Sequence, residues 1–73
     1  MEGLIEGRIV HFCVSPTQHR AAIVVNIQDK AKGICDLFVF SMPRDERGGF
    51  FLRTEAKYSG TKEEDTWHWI EKA

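Results

Sequence analysis

A period of two runs through most of this chain and limits what it can fold into. From Arg8 to Val14, Val10, Phe12 and Val14 fall on one side, and Ile9, His11 and Cys13 on the other. That alternation belongs to a strand, whose successive side chains point to opposite faces. Ala21 to Ile27 is mostly β-branched and predicts a central strand buried on both faces. Ile34 to Ser41 sets Ile34, Phe38 and Phe40 against Cys35, Leu37 and Val39, with Asp36 marking an exposed strand end. Phe50 to Ala56 and Thr66 to Ile70 supply two more strands. No run of about ten residues or more carries a helical period.

Turn signals separate these runs. Ser15-Pro16-Thr17-Gln18 places proline at the second turn position, and Gln28 to Gly33 reads as a polar hairpin loop closed by glycine. Met42 to Gly49 is the longest loop, charged and expected to be mobile. Tyr58 to Asp65 is a second polar excursion with room for one short helical turn. Five short strands punctuated in this way predict an all-β domain: a small five-stranded SH3-like barrel with no substantial helix.

The 73 residues make one domain. A chain of this size buries only about 60% of its unfolded surface, so the core is thin and self-association would help it. The formal net charge of −1 argues against sequence-independent attraction to nucleic acid. Cys13 and Cys35 lie in apolar runs without CxxC spacing and read as free, buried thiols, which fits a reducing cytosol. The start of the chain lacks the basic and apolar pattern of a signal peptide, and no apolar stretch reaches the roughly 18 residues of a membrane span.

No catalytic set emerges from the spacing. The histidines and cysteines are not spaced as a ligand pair on one turn, although His11 and Cys13 share a strand face; the reading is of no metal and no cofactor. A cysteine nucleophile would need an accessible, electropositive setting that these runs do not offer. The binding candidates are cationic and aromatic. His19 and Arg20 enter the second strand, and Arg53 lies mid-strand; each also reads as an ordinary solvated or paired side chain. Tyr58, Trp67, His68 and Trp69 form an aromatic group, with the two tryptophans on one strand face. If that face is inward, the indoles are core and His68 meets solvent. If it is outward, they can stack on a flat ligand.

Two resemblances add to this. Gly7-Arg8-Ile9-Val10 followed by His19-Arg20-Ala21-Ala22-Ile23-Val24-Val25 resembles the opening of MazF/PemK-type SH3-like barrels. Ala21 stands where that family has proline, and the family's C-terminal helix has no counterpart, so the resemblance implies RNA binding rather than RNA cleavage. Over its whole length the chain is similar to small tailed-phage and prophage proteins. The residues that carry this are Val10-His11-Phe12, His19-Arg20-Ala21-Ala22-Ile23-Val24-Val25, Asp36-Leu37-Phe38-Val39-Phe40, Tyr58-Ser59 and Thr66-Trp67-His68-Trp69. That similarity implies a phage protein working in the bacterial host cytosol and transfers no active site.

The resulting expectation is a non-catalytic, oligomeric binding protein that sequesters a nucleotide-type host immune signal. Its site would draw on His19, Arg20, Arg53, Tyr58, Trp67, His68 and Trp69. The alternatives are a protein–protein interaction module, either a virion assembly adaptor or an inhibitor of a host enzyme, and a MazF-like RNA-binding protein. Neither a membrane nor nucleic acid is the expected partner.

Overall fold

A computed structural model of the chain describes residues 1–44 and 49–71. Its strands are β1 (Ile9–Ser15), β2 (Gln18–Asp29), β3 (Ile34–Phe40), β4 (Phe50–Tyr58) and β5 (Thr66–His68). They close into a small SH3-like barrel in chain order. β1, β2, β3 and β4 pair antiparallel in succession, while β5 joins β1 antiparallel and β4 parallel. Trp67 stands opposite Phe12 on one side and Tyr58 on the other, so the motif near the end of the chain closes the barrel.

The alternation sets the interior. Val10, Phe12, Val14, Ala22, Val24, Cys35, Leu37, Val39, Ala56 and Trp67 are all buried to within 1%. Leu4 joins them from the leading segment, which is stitched to the barrel by Gly7 N–H to Val24 C=O (2.7 Å) and Val24 N–H to Arg8 C=O (2.9 Å). Gly33 is required where it stands. Its φ is +72°, and a Cβ there would come within 2.8 Å of Met1 Cε and 2.9 Å of Tyr58 Cβ. Its carbonyl accepts the Trp67 indole N–H at 2.7 Å, which satisfies the one polar atom of the largest core side chain.

Several boundaries differ from expectation. β2 begins at Gln18, because the tight turn at Pro16-Thr17 lets Gln18 pair with Ser15. β5 stops at His68, beyond which Trp69 leaves the ladder and packs edge-on against Trp67 at 5.0 Å. β2 is not buried on both faces: a bulge between Val24 and Asn26 leaves Val25 and Asn26 exposed together.

Asp36 is not a strand end. It sits within β3, where its carboxylate accepts from Asn26 Nδ2 (3.0 Å), Gln28 Nε2 (3.1 Å) and the Glu55 N–H (2.8 Å). The 58–65 excursion contains turns and no helix. Residues 45–48, at the centre of the loop expected to be mobile, lie outside the described residues.

Candidate functional site

Barrel closure creates a cluster that sequence spacing conceals. His11 on β1 is the direct cross-strand partner of His68 on β5, and Cys13 on β1 is the partner of His19 on β2. Since His11 and Cys13 share the outward side of β1, the imidazoles of His11, His19 and His68 converge over one patch of barrel wall. Their rings meet edge-on, with His68 5.6 Å from His11 and 4.7 Å from His19 between centroids. Glu71 folds back over the rings. One carboxylate oxygen lies 2.6 Å from His11 Nδ1 and 2.8 Å from His68 Nε2. The other lies 3.2 Å from both His19 Nδ1 and Lys62 Nζ. One ligand-capable atom from each of His11, His19, His68 and Glu71 lies within 4.8 Å of all the others.

His68 faces outward yet is only 3% exposed, because Glu71 and the loop before β5 cover it. The tryptophans face inward without delivering His68 to solvent: its Nδ1 lies 3.6 Å from Cys13 Sγ. The covering loop is pinned by Asp65 N–H to Cys13 C=O (2.9 Å) and by Lys62 and Asp65, both in the left-handed backbone region.

The electrostatics follow from this geometry. Hydrogen bonds from His11 and His68, with help from Lys62, hold the Glu71 carboxyl well below the usual carboxylate range. Burial lowers the His68 imidazole below its ordinary value despite the neighbouring carboxylate, so the neutral ring is favoured. Burial also raises the Cys13 thiol and pushes Cys35 up to about 11. Both cysteines are free and buried. Thiols held protonated in this way are not poised nucleophiles.

The residues expected to form one site divide into separate groups. His19 and His68 belong to the imidazole cluster. Tyr58, Trp67 and Trp69 stack with one another inside and at the end of the barrel, Trp67 lying 5.1 Å from Tyr58. Trp67 is fully buried, and the partly exposed Trp69 ring carries the Arg8 guanidinium at 5.5 Å. Arg20 stands opposite Phe12, turned away from its neighbour His19. Arg53 donates to the Thr54 carbonyl and lies 3.6 Å from Asp65. No pocket opens beside the tryptophans among the described residues.

Sequence reasoning did not single out His11 and Glu71 as site residues. It also passed over the outer face of β1 to β4. There Ile9, Ile23, Phe38 and Leu52 stand in register as one row across four strands, and Phe40 pairs with Phe50 beside it. The rings of Phe38, Phe40 and Phe50 lie 5.3 to 6.1 Å apart. Phe50 is 70% exposed, Leu52 59% and Ile9 51%.

Comparison of the chain with protein-family models, with curated proteins and with solved structures found no match.

Proposed function

We propose that the protein is an interaction module that associates with a second copy of itself through the outer face of β1 to β4. The observation that carries this is the in-register row Ile9, Ile23, Phe38 and Leu52 with the adjoining Phe40–Phe50 pair, of which Ile9, Leu52, Phe40 and Phe50 stand in water and Ile23 and Phe38 are half-buried, on a barrel that has little core to spare. Contiguous apolar surface of this kind marks a binding face rather than a random surface.

Physical reasons favour a second copy. The barrel is closed, so association runs through side chains and not through an open strand edge. The chain exposes 4526 Å² in all, of which a standard dimer interface takes about 800 Å² from each partner. Aromatic rings in a flat patch pair edge-to-face with copies of themselves, as Phe38, Phe40 and Phe50 already do within the chain. The nucleotide-capture reading draws less support. The indole it would use for stacking is Trp67, which is engaged in the core, and Trp69 is covered by Arg8.

Sedimentation across a concentration series, run on the protein and on a Phe50→Ser/Leu52→Ser double variant, tests the reading. The expected result is a dimer that the double variant converts to a folded monomer, with a melting temperature that no longer rises with protein concentration. A protein that stays monomeric at the highest concentration reached overturns self-association. If it then captures an unrelated protein through the same face, the module has a heterologous partner.

A further inference from the structure

On a different surface from the apolar face, the geometry points to a Zn(II)-class divalent metal site formed by His11, His19, His68 and Glu71. The chain contains three histidines in all, and the fold brings every one of them to the same carboxylate. They come from β1, β2 and β5, with the carboxylate three residues after His68, so it is barrel closure that brings the His68–Glu71 pair to the β1–β2 hairpin.

The donor set is chemically apt. Imidazole nitrogens suit borderline cations such as Zn(II), and three of them with one carboxylate complete a four-coordinate shell. Tetrahedral bonds of about 2.0–2.1 Å put donor atoms roughly 3.3 Å apart. Glu71 already lies 2.6 to 3.2 Å from each of the three facing nitrogens, and the widest donor separation is 4.8 Å. Modest rotation of the His11 and His19 rings, both partly exposed, closes the remaining gap. His68 is the fixed member. It ligates through Nε2, which leaves Nδ1 to carry a proton toward Cys13 Sγ at 3.6 Å, the outer hydrogen bond that typically orients a ligating imidazole.

Crowding argues in the same direction. The His11 and His19 rings lie 5.6 and 4.7 Å from His68 between centroids, which crowds three imidazoles into a space one cation can bridge. Lys62 Nζ, 3.2 Å from Glu71, acts as a stand-in positive charge that the metal displaces. Bound there, the ion clips β5 to β1 and β2. This is where the barrel is most weakly sewn, since β5 has two register pairs with β1 and two with β4.

Titration with Zn(II) alone, followed by calorimetry and by thermal melting, tests the site, with Co(II) absorption reporting coordination geometry. The expected result is one equivalent bound, a raised melting temperature and the visible bands of tetrahedral Co(II). His19→Gln should weaken binding at least about 100-fold, and Lys62→Met should tighten it about tenfold by removing the competing charge. Both variants change partly exposed or exposed side chains, and their metal-free melting curves verify that the barrel is intact. If the protein shows no stoichiometric uptake, or folded His19→Gln binds Zn(II) as tightly as the parent, the proposal fails. Affinity left unchanged by Lys62→Met would also count against a site centred on Glu71.

Discussion

The two halves of the barrel's outer wall share β1 and β2 and are treated in opposite ways. Across β1 to β4 the wall is apolar and open, with Phe50 and Leu52 standing in water. Across β2, β1 and β5 it is polar and closed over: Glu71, Lys62 and the preceding loop cover His68, and its polar atoms find partners within the chain. β1 belongs to both halves, since Ile9 faces the apolar side and His11, two residues on, the imidazole side. The contrast shows that a closed barrel has two ways to use an outward strand position. An apolar residue left outward costs solvation and is relieved by another surface. A polar one covered by the chain itself must be satisfied from within.

The largest test strikes what both halves share. Trp67→Ala removes the side chain that closes the barrel and its hydrogen bond to Gly33, at a cost of about 3–5 kcal/mol; thermal melting should show a protein marginal or unfolded at ambient temperature. A variant that melts near the parent would show that the indole is not the keystone and that the two walls are held independently.

His68→Ala comes next and separates the halves. Removing a covered imidazole takes one hydrogen-bond partner from each of Cys13 and Glu71 and should cost about 1–3 kcal/mol in urea unfolding of the metal-free protein. The self-association proposed for the other wall should be unchanged in sedimentation.

Asp36 tests a second polar arrangement, on the outward side of β3 two residues from Phe38. Hydrogen bonds from the Glu55 N–H, Asn26 and Gln28 lower its carboxyl pKa in the folded state. A lowered folded value contributes stability that is present above the unfolded value, near about 4, and is lost as pH falls through the folded one. The melting temperature of the parent should therefore exceed that of Asp36→Asn at neutral pH, and the difference should shrink as pH drops below about 4. A difference that persists in acid would assign the effect to amide geometry instead of charge.

The smallest effect belongs to the open wall. Phe50→Ser should change the stability of the monomer by no more than about 0.5 kcal/mol, measured by urea unfolding at dilution, because the ring is mostly in water. A larger loss would mean that the phenylalanine cluster is part of the core and that the two walls differ less than their exposure implies.

How much of this was legible depends on the range of each interaction. The two faces of β1 and β3 were readable residue by residue, because Val10, Phe12 and Val14, like Cys35, Leu37 and Val39, obey a local period, and burial shows these to be the inward sets. The burial of Trp67 was one of two readings, and its closure between Phe12 and Tyr58 decided it. His19 and His68 were singled out, but for a stacking site with Trp67 and Trp69 and not for the one they share with His11. That difference has a physical source: in a strand, adjacent residues such as Trp67 and His68 point to opposite faces, so sequence neighbours are poor site neighbours. A usable signal was present. In a five-stranded barrel the first and last strands adjoin, and outward histidines on both are then candidates to meet.

By itself the sequence determined that the chain is a small all-β barrel and how the residues of β1 and β3 divide between two faces, because alternation and turn chemistry act within a few residues. Only the tertiary structure decided what the outward residues do. His11 and Glu71 are 60 residues apart and meet because closure fixes the β1–β5 register, while Ile9, Ile23, Phe38 and Leu52 become one surface because three other registers align. Register between distant strands is set by the packing of the whole core. No single stretch of the chain carries it.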